Sequence, residues 1–99
     1  MHTMYAGKVV LVSNSVYAPN SGDAVLRQFI DDKIELFCVV GVDAAKWEDA
    51  LDWLCIDPKA NSDHFITTTS HPNESVEEVI AFAESFQCET THVVQVVYV

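Results

Sequence analysis

The residues of this chain that can do chemistry are few and scattered. Ninety-nine residues hold three cysteines and four histidines. Cys38, Cys55 and Cys88 are odd in number and form no CxxC pair, which argues against a disulfide framework. Cys38 lies within the apolar run Leu36-Phe37-Cys38-Val39-Val40, the setting of a small buried hydrophobe rather than a reactive thiol. His2, His64, His71 and His92 fall at neither HxH nor HxxxH spacing, so no metal site is expected. There is no G-x-S-x-G elbow, and a mid-strand Cys38 is badly placed to attack with His71 as its base. No catalytic residue is therefore assigned.

Cofactor motifs are missing too. Gly7, Gly22 and Gly41 form no GxGxxG and no Walker A loop. A phosphorelay receiver needs acids at the ends of its first and third strands, and this chain has Ser13-Asn14 and Thr69-Ser70 there. The segment Ser13 to Gly22 lacks the tight hydroxyl-glycine spacing of a flavin phosphate loop. The expectation is no cofactor. What remains is a set of polar residues where apolar runs end: Ser13, Asn14 and Ser15, then Asp43, then Thr69, Ser70 and His71, with Ser75 beyond. Such a set can bind a small polar ligand if the strands are parallel, because ligands sit outside their carboxyl ends. The same residue types also serve turns and helix caps.

Charge is the stronger surface property. Fifteen acids oppose five Lys and Arg, a formal net charge of −10. The imbalance is concentrated in residues 43–99, which carry −9, against −1 in residues 1–42. Five scattered bases cannot supply phosphate contacts, so nucleic acid is excluded as a partner. Anionic membrane surfaces are disfavoured for the same reason. A basic protein surface remains the natural partner. No apolar run approaches the roughly 18 residues of a membrane span, and Met1 to Tyr5 does not read as a signal peptide, so a cytoplasmic location is expected.

The elements that must position these residues follow from periodicity. Lys8 to Val12 reads as a strand. The loop to Pro19-Asn20 looks like a turn, and Ser21 can cap a helix over about residues 22–33 with Val25, Leu26, Phe29 and Ile30 inward. Ile34 to Val40 is a second strand, apolar nearly throughout, as expected when both faces are covered. Asp43 can cap a second helix with the stripe Trp47, Ala50, Leu51 and Leu54, closed by Asp57-Pro58. His64 to Thr69 is a third strand. Ser75-Val76-Glu77-Glu78 reads as a capping box for a third helix, inner stripe Val76, Val79, Ile80 and Ala83, to about Phe86. His92 to Val99 is a last, β-branched strand.

The order βαβαβαβ predicts one α/β domain over residues 1–99, a four-stranded mainly parallel sheet with three helices in a Rossmann- or flavodoxin-like three-layer arrangement. Order 2-1-3-4 is preferred over 1-2-3-4 because strands two and four are apolar on both faces. It leaves one helix alone on its side, and the Val-rich last strand is an unprotected edge, so a homodimer is expected. The same order puts the second and third helices side by side. Glu48, Asp49 and Asp52 would then merge with Glu74, Glu77, Glu78 and Glu84 into one acidic patch bordered by Trp53. The plain alternative is a solvated face that keeps a small protein soluble.

Three segments carry a resemblance: Phe37 to Asp43, Trp47 to Asp52, and His64 to Glu78. The run Thr67-Thr68-Thr69 followed by His71, Glu74-Ser75 and Glu77-Glu78 is its best-matching part. The chain resembles a family of small uncharacterised bacterial α/β proteins, of a kind also found in mobile gene cassettes. The resemblance implies a fold and no site. The functional expectation is a non-enzymatic acidic interaction module for a basic partner, in the manner of an immunity protein, antitoxin or inhibitor. The alternative is a small-ligand-binding or enzymatic domain that uses the strand-end loops.

Overall fold

A computed structural model of the chain describes residues 5, 7–56, 66–86 and 93–99. Strand β1 (Lys8–Ser13) is buried at every position, as its apolar run requires. Helix α1 (Pro19–Asp31) follows, then β2 (Leu36–Gly41), α2 (Ala44–Ile56), β3 (Thr67–His71), α3 (Val76–Ser85) and β4 (Val94–Tyr98). All strand pairs are parallel: β1 beside β2 from Lys8↔Leu36 to Ser13↔Gly41, β2 beside β3 from Leu36↔Thr67 to Val40↔His71, and β1 beside β4 from Lys8↔Val94 to Val12↔Tyr98. Among the described residues no helix is long and apolar enough to cross a membrane.

The strand order is β3-β2-β1-β4, which corrects the expected 2-1-3-4. The reason lies in side-chain polarity. Central strands are covered on both faces, and β1 and β2 are apolar on both. β3 carries Thr67, Thr68, Thr69 and Ser70, which stay half-buried, and such a strand fits an edge. β4 takes the other edge, as expected of it.

The alternation of side chains along β1 and β2 separates two cores. Val9, Leu11, Phe37 and Val39 pack with Leu26 and Phe29 of α1 and with Trp47, Leu51 and Leu54 of α2. Val10, Val12, Cys38 and Val40 pack with Val79 and Ala83 of α3. The inner stripes expected of the three helices are thus the ones that face the sheet, and Cys38 is a buried hydrophobe. One face carries two helices and the other carries one, but α1 and α2 are the pair, with α3 alone. The second and third helices therefore do not lie side by side. This overturns the merged acidic patch: Glu48, Asp49, Asp52 and Trp53 are on one side of the sheet, and Glu77, Glu78 and Glu84 are on the helix of the other.

Local boundaries also shift. Pro19 and Asn20 do not form a turn. They open α1, with extended Ala18 at the cap and Pro19 where its missing N–H costs nothing. Ser21 is thus inside the helix rather than its cap. β3 runs to His71, two residues beyond the expected end. Cys88, His64, Phe65, His92 and the closing Asp57-Pro58 lie outside the described residues.

The α3 side has one feature that the pattern gave no sign of. Lys8 is fully buried, and its Nζ donates to the carbonyls of Ala83 at 2.8 Å, Glu84 at 3.4 Å and Phe86. A cation at the carbonyl end of a helix satisfies its orphan acceptors and complements its dipole. The amino end of α3 is closed by the expected capping box, Ser75 Oγ accepting from Glu78 N and Glu78 Oε1 from Ser75 N.

Candidate functional site

The strand ends hold three separate polar arrangements. The first joins β1 and β2. Ser13 is 3% exposed; its Oγ accepts from Trp47 Nε1 at 3.0 Å and donates to the Ser15 carbonyl at 2.9 Å. Asp43 Oδ2 accepts from Tyr17 N at 3.0 Å, while the Asp43 carbonyl accepts from Trp47 N. Asn14 donates its backbone N–H to the Val99 carbonyl. Gly41 has φ +105°, and a Cβ there would collide with the Ser13 carbonyl oxygen. The polar groups of Ser13 and Asp43 are thus consumed in holding the loops together. Of the expected ligand residues here, Asn14 and Ser15 stay exposed.

The second arrangement closes β3. His71 is 8% exposed. Its Nδ1 lies 2.9 Å from Glu74 Oε1, and its Nε2 lies 2.9 Å from Thr69 Oγ1. The ring packs on Phe82 of α3, centroids 5.4 Å apart. Thr69 and His71 are two residues apart on one strand, so they share a face, and Glu74 returns from the following turn. Ser70 alternates to the opposite, α1–α2 face, in register with Val39. Ser75 and Glu78 are committed to the capping box. The structure therefore brings together Thr69, His71 and Glu74, and separates them from Ser13, Asp43, Ser70 and Ser75. Glu74 belongs to this chain of hydrogen bonds, although its charge alone suggested a partner surface.

The third arrangement is an open groove of about 430 Å³ between α1 and α2. Tyr17, Asp23, Lys46, Asp49 and Trp53 line it, over Pro19, Ala50 and Leu54. Trp53 is 71% exposed. Tyr17 stacks edge-on against Trp47, centroids 4.9 Å apart, and donates its hydroxyl to Asp23. Burial, then the hydrogen bond and negative charge of Asp23, push the phenol pKa up to about 12. Gly22 makes this packing fit, because a Cβ there would lie 2.6 Å from the Tyr17 ring. Asp52 lies beyond the groove, where its Oδ1 accepts from Thr68 Oγ1 at 2.9 Å and ties α2 to β3. Burial and the Asp52 charge raise the nearby Cys55 thiol. Asp49 and Trp53 were legible as outward positions on the helix. Tyr17, Asp23 and Lys46 were not, since only the pairing of α1 with α2 brings them there.

A family profile described as "Domain of unknown function (DUF7684)" matches residues 1–99, and the chain belongs to that family. Comparison with curated proteins and with solved structures finds no match.

Proposed function

We propose that this member of the DUF7684 family is an acidic interaction module that receives a basic protein segment in the groove between α1 and α2. One observation carries the reading: an indole 71% exposed stands beside two carboxylates, Asp23 and Asp49, in a chain of net charge −10. Exposed tryptophan is the residue type most enriched among interface anchors. An arginine or lysine side chain can lay its stem or guanidinium on the ring while a carboxylate takes the charge. The surplus of acids on the rest of the chain steers such a partner toward the protein. Lys46 lines the same groove and limits its capacity for positive charge, which favours a single inserted side chain over a basic cluster. Inhibitors, antitoxins and immunity proteins act in this manner, by covering a basic surface.

The test is retention of a basic protein from lysate on the native chain and on a Trp53→Ala, Asp49→Lys variant. Binding through the groove gives retention at low salt, release at high salt by screening, and at least a tenfold loss in the variant. A basic protein held equally by both baits overturns the reading.

A further inference from the structure

We propose that Thr69 is a nucleophile with His71 as its base and Glu74 as the positioning residue, a site for acyl transfer from neutral or cationic esters. This goes beyond the binding role and uses the other side of the sheet. Both imidazole nitrogens are engaged at 2.9 Å, one by a carboxylate and one by a hydroxyl. An ionised carboxylate only accepts, so Nδ1 carries the ring proton and Nε2 presents its lone pair to Thr69. This is the nucleophile, base and orienter in the reach that hydroxyl activation requires. The imidazole is held in place by burial and by Phe82.

Thr68 supplies the contrast on the same strand. Its hydroxyl donates to Asp52, and that bond ties two elements together. The Thr69 chain joins groups only five residues apart and ends in a half-exposed carboxylate.

Topology places the site at the rim of the sheet: β3 is an edge strand, and His71 is its last residue. Thr67 N donates inward to the Glu35 carbonyl, so by strand alternation the N–H of Ser70 points away from β2 at the edge of the sheet. Glu74, Glu77 and Glu78 around the site repel anionic acyl donors, which fixes the substrate class as uncharged or cationic.

The reaction balances without a cofactor. Thr69 Oγ1 bonds to the ester carbonyl carbon as its proton passes to His71 Nε2. The carbon–oxygen bond to the leaving alcohol then breaks, and the imidazolium returns that proton to the alcohol. Water attacks the acyl-threonine with His71 again as base, releasing the acid and restoring the Thr69 hydroxyl.

The experiment treats the full chain with 4-nitrophenyl acetate and with an acetyl ester of a quaternary amino alcohol, and follows alcohol release and intact mass. The expected result is a single acetyl group mapped to Thr69, a burst of alcohol, and loss of both in Thr69→Val and His71→Asn. Thr69→Ser keeps the label, which separates chemistry from misfolding. Glu74→Gln lowers kcat about 10²–10⁴-fold with KM unchanged, and Glu74→Asp restores part of it. An acetyl group on His71 or on lysines instead of Thr69, no acetyl group at all, or release unchanged in folded Thr69→Val overturns the proposal.

Discussion

The carboxyl ends of β1 and β2 and the carboxyl end of β3 are built from the same kinds of residue and put them to opposite uses. At β1 and β2, a serine, an aspartate and a glycine are spent on the fold. Ser13 holds the Trp47 indole, Asp43 holds the Tyr17 amide, and Gly41 lets the Ser13 carbonyl pass close by. Each contact joins separate elements of the chain. At β3, a threonine, a histidine and a glutamate bond to one another within five residues. The lesson is that residue type alone does not fix a polar group's role: at β1 and β2 the bonds tie separate elements together, whereas at β3 they stay within one strand and the turn after it.

The contrast can be broken most forcefully at Gly41. Replacing it with alanine imposes a left-handed backbone on a side chain that also meets the Ser13 carbonyl. The expected cost is about 3 kcal/mol or more in urea unfolding, and a loss below about 1 kcal/mol would show that this junction is slack. A sharper comparison sets Ser13→Ala against Thr69→Ser. The first strands a buried indole N–H and should cost about 1–3 kcal/mol, whereas the second keeps a hydroxyl for His71 Nε2 and should stay within about 1 kcal/mol of the native protein. Equal costs would mean that the Ser13 hydroxyl does not hold the indole. The smallest effect concerns Tyr17. Its folded pKa, near 12, exceeds the unfolded 10.0. The contribution to stability is therefore complete below pH 10 and fades as pH rises toward 12. Tyr17→Phe should flatten that part of the alkaline stability curve; an unchanged slope would mean that the phenol is not held.

Much of this architecture was legible in the chain. The apolar runs, helix stripes and the Ser75–Glu78 box are local patterns, and local physics decides them. Strand order is not local. It depends on which strands compete for the covered positions, and the hydroxyls of β3 were the available signal that it belongs at an edge. Misplacing β3 then misplaced the acids, because the merged patch needed α2 beside α3. The relay at His71 was half visible. Thr69 and His71 share a strand face by spacing alone, but Glu74 read as surface charge until the turn brought it back to Nδ1. Lys8 gave no signal, since its partners are backbone carbonyls 75 or more residues away.

The β1–β4 pair has a mechanical meaning. The first strand and the last lie parallel and adjacent, from Lys8↔Val94 to Val12↔Tyr98, and the pairing continues through Val99 to Val12 and Asn14 to Val99. Tension drawn from the amino side of β1 and the carboxyl side of β4 runs along the two strands in opposite senses. It loads every bond of the ladder together, in shear, instead of peeling the bonds apart one by one. The chain is thus strongest along the line joining the outer ends of this pair, and a partner that tugged on those ends would meet the stiffest part of the molecule first.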